Sequence, residues 1–94
     1  MIRVSVLYPA GDDVTFDHDY YRETHVPLCT GTWDVTAEID KGINGPYVAG
    51  VHFFFETMDQ FQAAMGNEGT QAVMADVANY TNIAPVMQVS EVVS

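Results

Sequence analysis

Two side chains with helical spacing could carry proton-transfer chemistry. His25 follows Tyr21 by four residues, which places the imidazole and the phenol on one side of a helix. An imidazole exchanges protons near neutral pH, and a phenol can donate a hydrogen bond to a ligand oxygen. The pair therefore predicts a site in which His25 acts as a general base or as a hydrogen-bond donor to a substrate carbonyl. The alternative is a core histidine bonded to a free backbone carbonyl or to a tyrosine hydroxyl.

Three further side chains are candidates for substrate binding. Tyr20 precedes the pair and points to a neighbouring side of the helix. Trp33 could stack on a flat ligand, although a tryptophan in a small domain also serves for packing alone. His52 alternates with Phe54 on a predicted strand, so it either converges with His25 or lies between subunits as a buried polar contact. The sequence does not show which side of that strand faces the helix.

Metal binding and thiolate chemistry are not expected. Asp17, His18 and Asp19 are adjacent at an exposed helix start, and neither a His-x-His nor a His-Glu-x-x-His spacing occurs. Cys29 lies near the C-terminal end of the helix, where the helix dipole raises the pKa of a thiol. Glycine-rich phosphate loops and nucleotide fingerprints are also absent. The sequence therefore predicts no metal and no bound cofactor.

The helix that carries His25 has a marked beginning and a weak point. Asp17 can accept hydrogen bonds from the N–H groups of the first turn. Phe16 and Tyr21 occupy the two positions of a hydrophobic staple. Pro27 lacks an N–H and crowds the carbonyl four residues earlier, so the helix should kink or loosen near His25.

The end of this helix is predicted from a glycine. Leu28 and Cys29 follow His25 by three and four residues and should share its inward side. Gly31 can close the helix at its C-terminal end. Trp33 would then begin the next strand.

The motif in this helix resembles that of the EthD family. The first helix of that family carries a tyrosine pair followed by His-x-Pro-Leu, and the corresponding residues here are Tyr20, Tyr21, His25, Pro27 and Leu28. The resemblance implies a protein of the dimeric α/β-barrel superfamily that acts on polyaromatic or polyketide-like compounds without a bound cofactor. The family takes its name from an accessory protein of ether-degrading gene clusters. An accessory role in degradation is therefore also implied.

The predicted elements follow the order strand, helix, strand, strand, helices, strand. The predicted strands are 2–8, 33–40, 47–56 and 83–93, and the predicted helical segments after the first are 58–65 and 70–78. This is the α+β ferredoxin-like order β-α-β-β-α-β. We expect a single domain over residues 1–94, with helices on one face of a four-stranded antiparallel sheet.

The third strand predicts a homodimer because both of its faces are apolar. Helices cover only one face of such a sheet, and uncovered apolar surface favours association. We expect two copies to stack sheet against sheet, as the barrel resemblance also implies. The two candidate faces are Val48, Gly50, His52 and Phe54 on one side, and Ala49, Val51, Phe53 and Phe55 on the other.

These features predict that a small apolar or aromatic carbonyl compound binds in a pocket between the first helix and the sheet. The reactions that fit are cofactor-free oxygenation, cyclisation and decarboxylation, with His25 and Tyr21 handling the proton. The alternative is a noncatalytic accessory or carrier protein for a hydrophobic metabolite or an oxygenase system.

The charge and composition exclude several classes of function. Thirteen acidic residues against three basic ones give a formal net charge of −10, which repels nucleic-acid phosphates and anionic membrane surfaces. No apolar run approaches the ~20 residues needed to span a bilayer. A single cysteine cannot form an internal disulfide, and the chain start lacks the layout of a signal peptide. We therefore expect a cytoplasmic protein.

Overall fold

The computed structural model describes residues 1–94 and contains one antiparallel sheet. Its strands are β1 (Ile2–Pro9), β2 (Thr36–Lys41), β3 (Tyr47–Phe55) and β4 (Val86–Glu91), in the spatial order β2-β3-β1-β4. The order places β1 and β3 at the centre and the polar β2 at an edge. This is the ferredoxin-like fold, and the predicted fold class is confirmed.

The first helix, α1, is continuous over residues 18–33 and changes its winding at the predicted weak point. It is α-helical over His18–Tyr20, π-helical over Tyr21–His25 and α-helical again over Val26–Trp33. In the middle part the backbone N–H of Val26 donates to the carbonyl of Tyr21, five residues earlier. Because Pro27 has no N–H to donate, the wider turn is accommodated directly before it. The predicted loosening near His25 is confirmed.

The start of α1 also has its predicted contacts. The carboxylate of Asp17 accepts a hydrogen bond from the backbone N–H of Tyr20 at 3.0 Å. The rings of Phe16 and Tyr21 pack with centroids 5.0 Å apart, as a hydrophobic staple requires. The ring of Tyr8, near the end of β1, packs on Phe16 and Tyr21 with centroids 5.0 and 5.4 Å away and so holds the start of α1 against this strand.

The predicted end of α1 was wrong. The helix continues past Gly31, and Asp34 ends it in the left-handed conformation, with φ 54° and ψ 53°. Trp33 is thus the last helical residue rather than the beginning of a strand. A glycine inside a helix lowers helix stability by only about 1 kcal/mol relative to alanine. The packing of Trp33 on Phe53, with ring centroids 5.1 Å apart, offsets that loss of stability.

Leu28 does not face inward, contrary to the prediction from spacing. It is 38% exposed, whereas Cys29 is 1% exposed. The π-helical turn contains one extra residue. The side chains that face inward after Tyr21 are therefore each four residues apart, whereas in a regular helix the spacing alternates between three and four residues.

Two shorter helices follow the central hairpin. Thr57 caps α2 (Met58–Met65) by accepting a hydrogen bond from the N–H of Gln60 at 3.1 Å. The next helix, α3 (Gly69–Asp76), ends in a 3₁₀ turn over Val77–Asn79. No helix of the chain has the length and apolarity needed to traverse a bilayer.

The helices all pack on one face of the sheet. On β3, Phe53 and Phe55 contact aromatic rings of the helices, and Val51 is only 1% exposed. Because side chains alternate along a strand, Val48, Gly50, His52 and Phe54 lie on the opposite face, which no helix covers. The helix-side residues are therefore already buried within the protomer and cannot form a contact between sheets.

Candidate functional site

A cavity of about 150 Å³ lies between α1, α3 and the helix side of the sheet. One face of α1 supplies Tyr21, His25, Cys29 and Trp33, each four residues from the next. The rest of the wall is almost entirely apolar and consists of Val6, Tyr8, Val51, Phe53, Val73, Met74, Val77, Pro85 and Met87. The π-helical turn in α1 keeps its four side chains in one line along the cavity.

His25 is held by an aspartate from α3. The Nδ1 atom of His25 lies 2.9 Å from Oδ2 of Asp76. The other carboxylate oxygen accepts hydrogen bonds from the Tyr20 hydroxyl at 2.6 Å and from the Asn79 amide at 3.0 Å. Asp76 is thus fixed on both oxygens, and it fixes the plane of the imidazole in turn.

The pKa shifts of this pair determine which nitrogen is free. Burial lowers the pKa of His25 below 6.5 even though its bond to Asp76 acts in the opposite direction. Burial by itself would raise the pKa of Asp76, but the bonds from Tyr20, Asn79 and His25 outweigh it and lower that pKa. At neutral pH the pair is therefore a carboxylate and a neutral imidazole. Nδ1–H donates to Asp76, which leaves the lone pair on Nε2.

The only protein atom bonded to that nitrogen is a weak donor. Sγ of Cys29 lies 3.5 Å from Nε2 of His25. Burial raises the pKa of the Cys29 thiol to about 12, so the sulfur stays protonated and donates weakly. Cys29 is a wall residue that leaves Nε2 available to a better donor, and it is unsuited to act as a thiolate.

Tyr21 presents an unpaired hydroxyl. Its side chain is 1% exposed and its oxygen has no hydrogen-bond partner, since the nearby Tyr8 hydroxyl bonds to Tyr80 at 2.6 Å. Burial raises the pKa of Tyr21 strongly, so the group remains a neutral phenol. A buried unpaired polar group costs about 1–3 kcal/mol.

Tyr20 and Trp33 take different places around the cavity. Tyr20 does not line it and instead supports Asp76 from behind. Trp33 lies in the wall, where its Nε1–H donates to the hydroxyl of Thr70 at 2.8 Å. This bond fixes the indole, which offers a flat apolar surface to the cavity.

His52 does not converge with His25, which excludes the first of its two predicted alternatives. It lies on the face of the sheet that no helix covers, directly opposite Ser5 in the β1–β3 register. Its Nδ1 lies 2.7 Å from the hydroxyl of Ser5, and its Nε2 lies 2.9 Å from a carboxylate oxygen of Asp40. The alternative, a polar contact between subunits, stays a prediction.

Sequence reasoning missed Asp76, although a signal for it exists. The residue ends α3, where the helix dipole disfavours a negative charge. It also follows the buried Val73 by three residues and precedes Val77, so it lies beside the apolar stripe of that helix. An acid in such a position needs hydrogen-bond donors from elsewhere, and here Tyr20, His25 and Asn79 supply them.

Other surface features lack this combination of groups. A depression of about 420 Å³ at residues 15–17 and 78–82 includes none of the side chains that line the cavity on α1. No group of three or more His, Cys, Asp or Glu side chains is arranged to hold a metal ion. The cavity beside His25 is the place where an imidazole, a phenol and an apolar wall meet.

Comparison with known proteins places the chain in a family. The EthD domain matches residues 11–84, well over half of the chain. The chain belongs to the EthD family. An EthD-like protein of known structure from Ralstonia eutropha JMP134 is 36% identical to this EthD protein, with a TM-score of 0.91, and the match covers 99% of this chain and 92% of that one.

More distant structures share the fold of this EthD protein. An EthD family protein from Bacillus halodurans C-125 is 16% identical, with a TM-score of 0.78 and 99% of both chains covered. A dimeric ferredoxin-like protein from Thermobifida fusca YX is 16% identical, with a TM-score of 0.67, and the match covers 97% of this chain and 90% of that one. No curated protein matches the sequence.

Proposed function

We propose that this EthD-family protein binds a small apolar or aromatic carbonyl compound in the cavity and moves protons on it without a bound cofactor. One observation carries the proposal: a neutral imidazole, held at Nδ1 by Asp76, keeps Nε2 free beside an almost wholly apolar cavity. Tyr21 lines the same cavity, and its buried hydroxyl has no hydrogen-bond partner. A base and a hydrogen-bond donor in a dry cavity are the parts that enolisation of a carbonyl compound requires.

The proposed chemistry begins at the carbon next to the carbonyl. Nε2 of His25 removes a proton from that carbon, and Asp76 stabilises the imidazolium that forms. The Tyr21 hydroxyl donates to the oxygen on which the enolate charge develops. The enolate can then react with dioxygen or close a ring onto an electrophilic carbon of the same ligand. In decarboxylation Nε2 instead takes the proton of the carboxyl group, carbon dioxide leaves, and the enolate carbon takes that proton back from His25. Oxygenation, cyclisation and decarboxylation thus use the same protein groups.

A noncatalytic carrier or accessory protein is the second candidate. The composition of the cavity favours it, because 11 of the 13 residues in the wall are hydrophobic. Such a wall binds an apolar metabolite by excluding water, whether or not a proton moves. In that case the bond between His25 and Asp76 would serve only to hold α1 against α3.

Exchange of hydrogen for deuterium distinguishes the two functions. Acetophenone has a methyl group next to its carbonyl, and loss of that signal in heavy water can be followed by proton NMR. We expect the protein to accelerate the exchange, and His25→Gln to lower the rate by about 10²- to 10⁴-fold while acetophenone still binds. The control is His52→Gln, which changes a histidine on the other face of the sheet. Binding without exchange would favour the carrier, and absence of binding would contradict both functions.

We also propose a homodimer that stacks through the sheet face opposite the helices. Val48 and Phe54 are only partly buried there, and Leu7 lies on the same face. The protein from Thermobifida fusca with the same fold is dimeric. Light scattering should give twice the protomer mass of 10.4 kDa, and Phe54→Asp should shift the species toward the protomer. The control Ile43→Asp changes an apolar residue that is 99% exposed in the β2–β3 turn and should leave the mass unchanged.

The charge and the thiol support the expected surroundings of the protein. A net charge of −10 disfavours nucleic acid and anionic membranes as partners. Cys29 is a free thiol, which agrees with a reducing compartment such as the cytoplasm. The partners we propose are therefore a second copy of the chain and a small apolar organic molecule.

A further inference from the structure

The cavity is closed on its inner side and opens at an apolar mouth formed by Met74, Val77, Pro85 and Met87. We propose that its ligand has a compact carbonyl-bearing end and an unbranched apolar chain that leaves the cavity between Met74 and Met87. The inference rests on the proposed function, because it specifies the ligand of the same cavity. It assigns the two methionines as specificity-determining residues.

The exposure of the wall residues shows where the cavity opens. Tyr8, Tyr21 and Val51 are at most 2% exposed and close its inner side. Met74 of α3 and Met87 of β4 line the same cavity, yet each is 49% exposed. The mouth therefore lies between the last turn of α3 and the beginning of β4.

The volume of the cavity limits the part of the ligand that lies inside it. A volume of about 150 Å³ matches an apolar cavity that holds one benzene molecule, whereas pockets for drug-sized ligands measure roughly 300–1,000 Å³. The inner wall is fully buried and close-packed, so it cannot widen easily. Any part of the ligand beyond one ring must therefore extend through the mouth.

The mouth favours an apolar group over a polar one. None of its four side chains has a hydrogen-bond donor, and no Asp, Glu, Lys or Arg side chain lines the cavity. A polar or charged substituent at this place would lose hydrogen bonds to water without replacing them. An apolar substituent would instead cover side chains that water now contacts.

The apolar surface continues from the mouth along β4. Val89 follows Met87 by two residues, so both side chains lie on the helix side of the strand. Val89 is 40% exposed, although it is paired with the buried Val4 of β1. A chain that leaves the mouth thus has a further apolar surface to cover.

The two methionines favour a straight chain over a branched one. A methionine side chain is unbranched and has three rotatable bonds, so it adapts to the shape of its neighbour. Met74 and Met87 can close on both sides of a narrow chain. A branched group at the same place is wider and would have to displace both side chains.

Calorimetric titration of the intact protein with four phenyl ketones tests the inference. Acetophenone, valerophenone and hexanophenone carry a methyl, a butyl and a pentyl group on the carbonyl. Pivalophenone is an isomer of valerophenone with a tert-butyl group, so it controls for apolarity alone. We expect affinity to rise about two- to fourfold for each methylene added to the straight chain. Pivalophenone should bind no tighter than acetophenone.

Two variants assign the chain to the mouth. Met74→Gln and Met87→Gln keep the length of the side chain but make the mouth polar. Each should lower the ratio of the valerophenone affinity to the acetophenone affinity by about three- to tenfold. The matched control is Met58→Gln, which changes a methionine of α2 that is 41% exposed and does not line the cavity. It should leave that ratio unchanged. The titrations of the unaltered protein decide the ligand class even where a variant does not fold.

The outcomes separate the inference from the function on which it rests. Binding of acetophenone with no gain for valerophenone, or with equal affinities for valerophenone and pivalophenone, would overturn the ligand class and leave the proposed function in place. An unchanged ratio in both methionine variants would overturn the exit between them. Absence of binding by all four ketones would overturn the proposed function as well. The expected order of affinities, with the ratio lowered by both variants and not by the control, would establish the inference.

Discussion

A histidine bonded to an aspartate at 2.9 Å lies on each side of the sheet, His25 on α1 and His52 on β3, yet the surroundings of the two imidazoles differ. His25 is 6% exposed in its side chain, lies on the helix side and uses one nitrogen for Asp76. His52 is 25% exposed, lies on the open side and uses both nitrogens, one for Asp40 and one for Ser5. The pairing itself is the same on both faces.

The difference shows that a histidine–aspartate pair does not by itself make a site. His52 has no nitrogen left for a ligand, and it ties three neighbouring strands together. His25 keeps Nε2 available beside a cavity, and burial keeps its imidazole neutral. The proposed chemistry depends on the free nitrogen and the apolar wall, so changes to these two features should have the largest effects.

The largest expected effect is that of Asp76→Asn. The asparagine oxygen would keep the hydrogen bonds from Tyr20 and Asn79, so its amide N–H would face Nδ1 of His25. The imidazole proton would then move to Nε2, and the base would become a donor. We expect the rate of deuterium exchange to fall about 10²- to 10⁴-fold with nearly unchanged affinity, as when an aspartate that fixes a catalytic imidazole tautomer is replaced.

The matched change on the other face is Asp40→Asn. It alters the partner of His52 in the same way and should leave the exchange rate as it is. Equal losses from both variants would contradict the contrast between the two faces.

Two tyrosine variants should change stability in opposite directions. Tyr21→Phe removes a buried hydroxyl that has no partner and should raise the free energy of unfolding by up to about 1 kcal/mol in the absence of ligand. Tyr80→Phe leaves the buried Tyr8 hydroxyl without its hydrogen bond and should lower the free energy of unfolding by about 1–3 kcal/mol. Urea denaturation measures both. A clear loss of stability in Tyr21→Phe would mean that its hydroxyl is satisfied and that the cavity lacks the proposed donor.

The smallest effect concerns stability in mild acid. Folding lowers the pKa of His25 below 6.5, chiefly through burial, so the unfolded chain binds the proton more readily than the folded protein does. The stability that His25 contributes is therefore complete above about pH 6.5 and is lost as the pH falls toward the folded pKa. The lowered pKa of Asp76 adds a further loss that begins below about pH 3.8.

His25→Gln should remove the loss of stability just below pH 6.5 from the curve of unfolding free energy against pH. The pKa of His18 is also lowered by burial, but His18 is present in both proteins. The difference between the two curves of unfolding free energy against pH therefore isolates His25. Parallel curves would show that the imidazole is not buried as a neutral base.

Much of α1 could be predicted because its determinants are local. The Asp17 cap, the staple between Phe16 and Tyr21, and the loosened turn before Pro27 each depend on residues a few positions apart. The exceptions are also instructive. Gly31 was predicted to end the helix, but packing of Trp33 on β3 carries it to Asp34. Leu28 and Cys29 were both predicted to face inward, but the wider turn near His25 keeps only Cys29 on the inward side.

The sequence by itself determined the order of the elements, the family and the position of one histidine on the first helix, because periodicity, caps and short motifs are read along the chain. Only the tertiary structure decided which face of β3 meets the helices, since two apolar faces with a period of two are equivalent until something packs on one of them. It also decided the partner of His25. Asp76 is 51 residues away, and only the packing of α3 beside α1 brings its carboxylate to the imidazole.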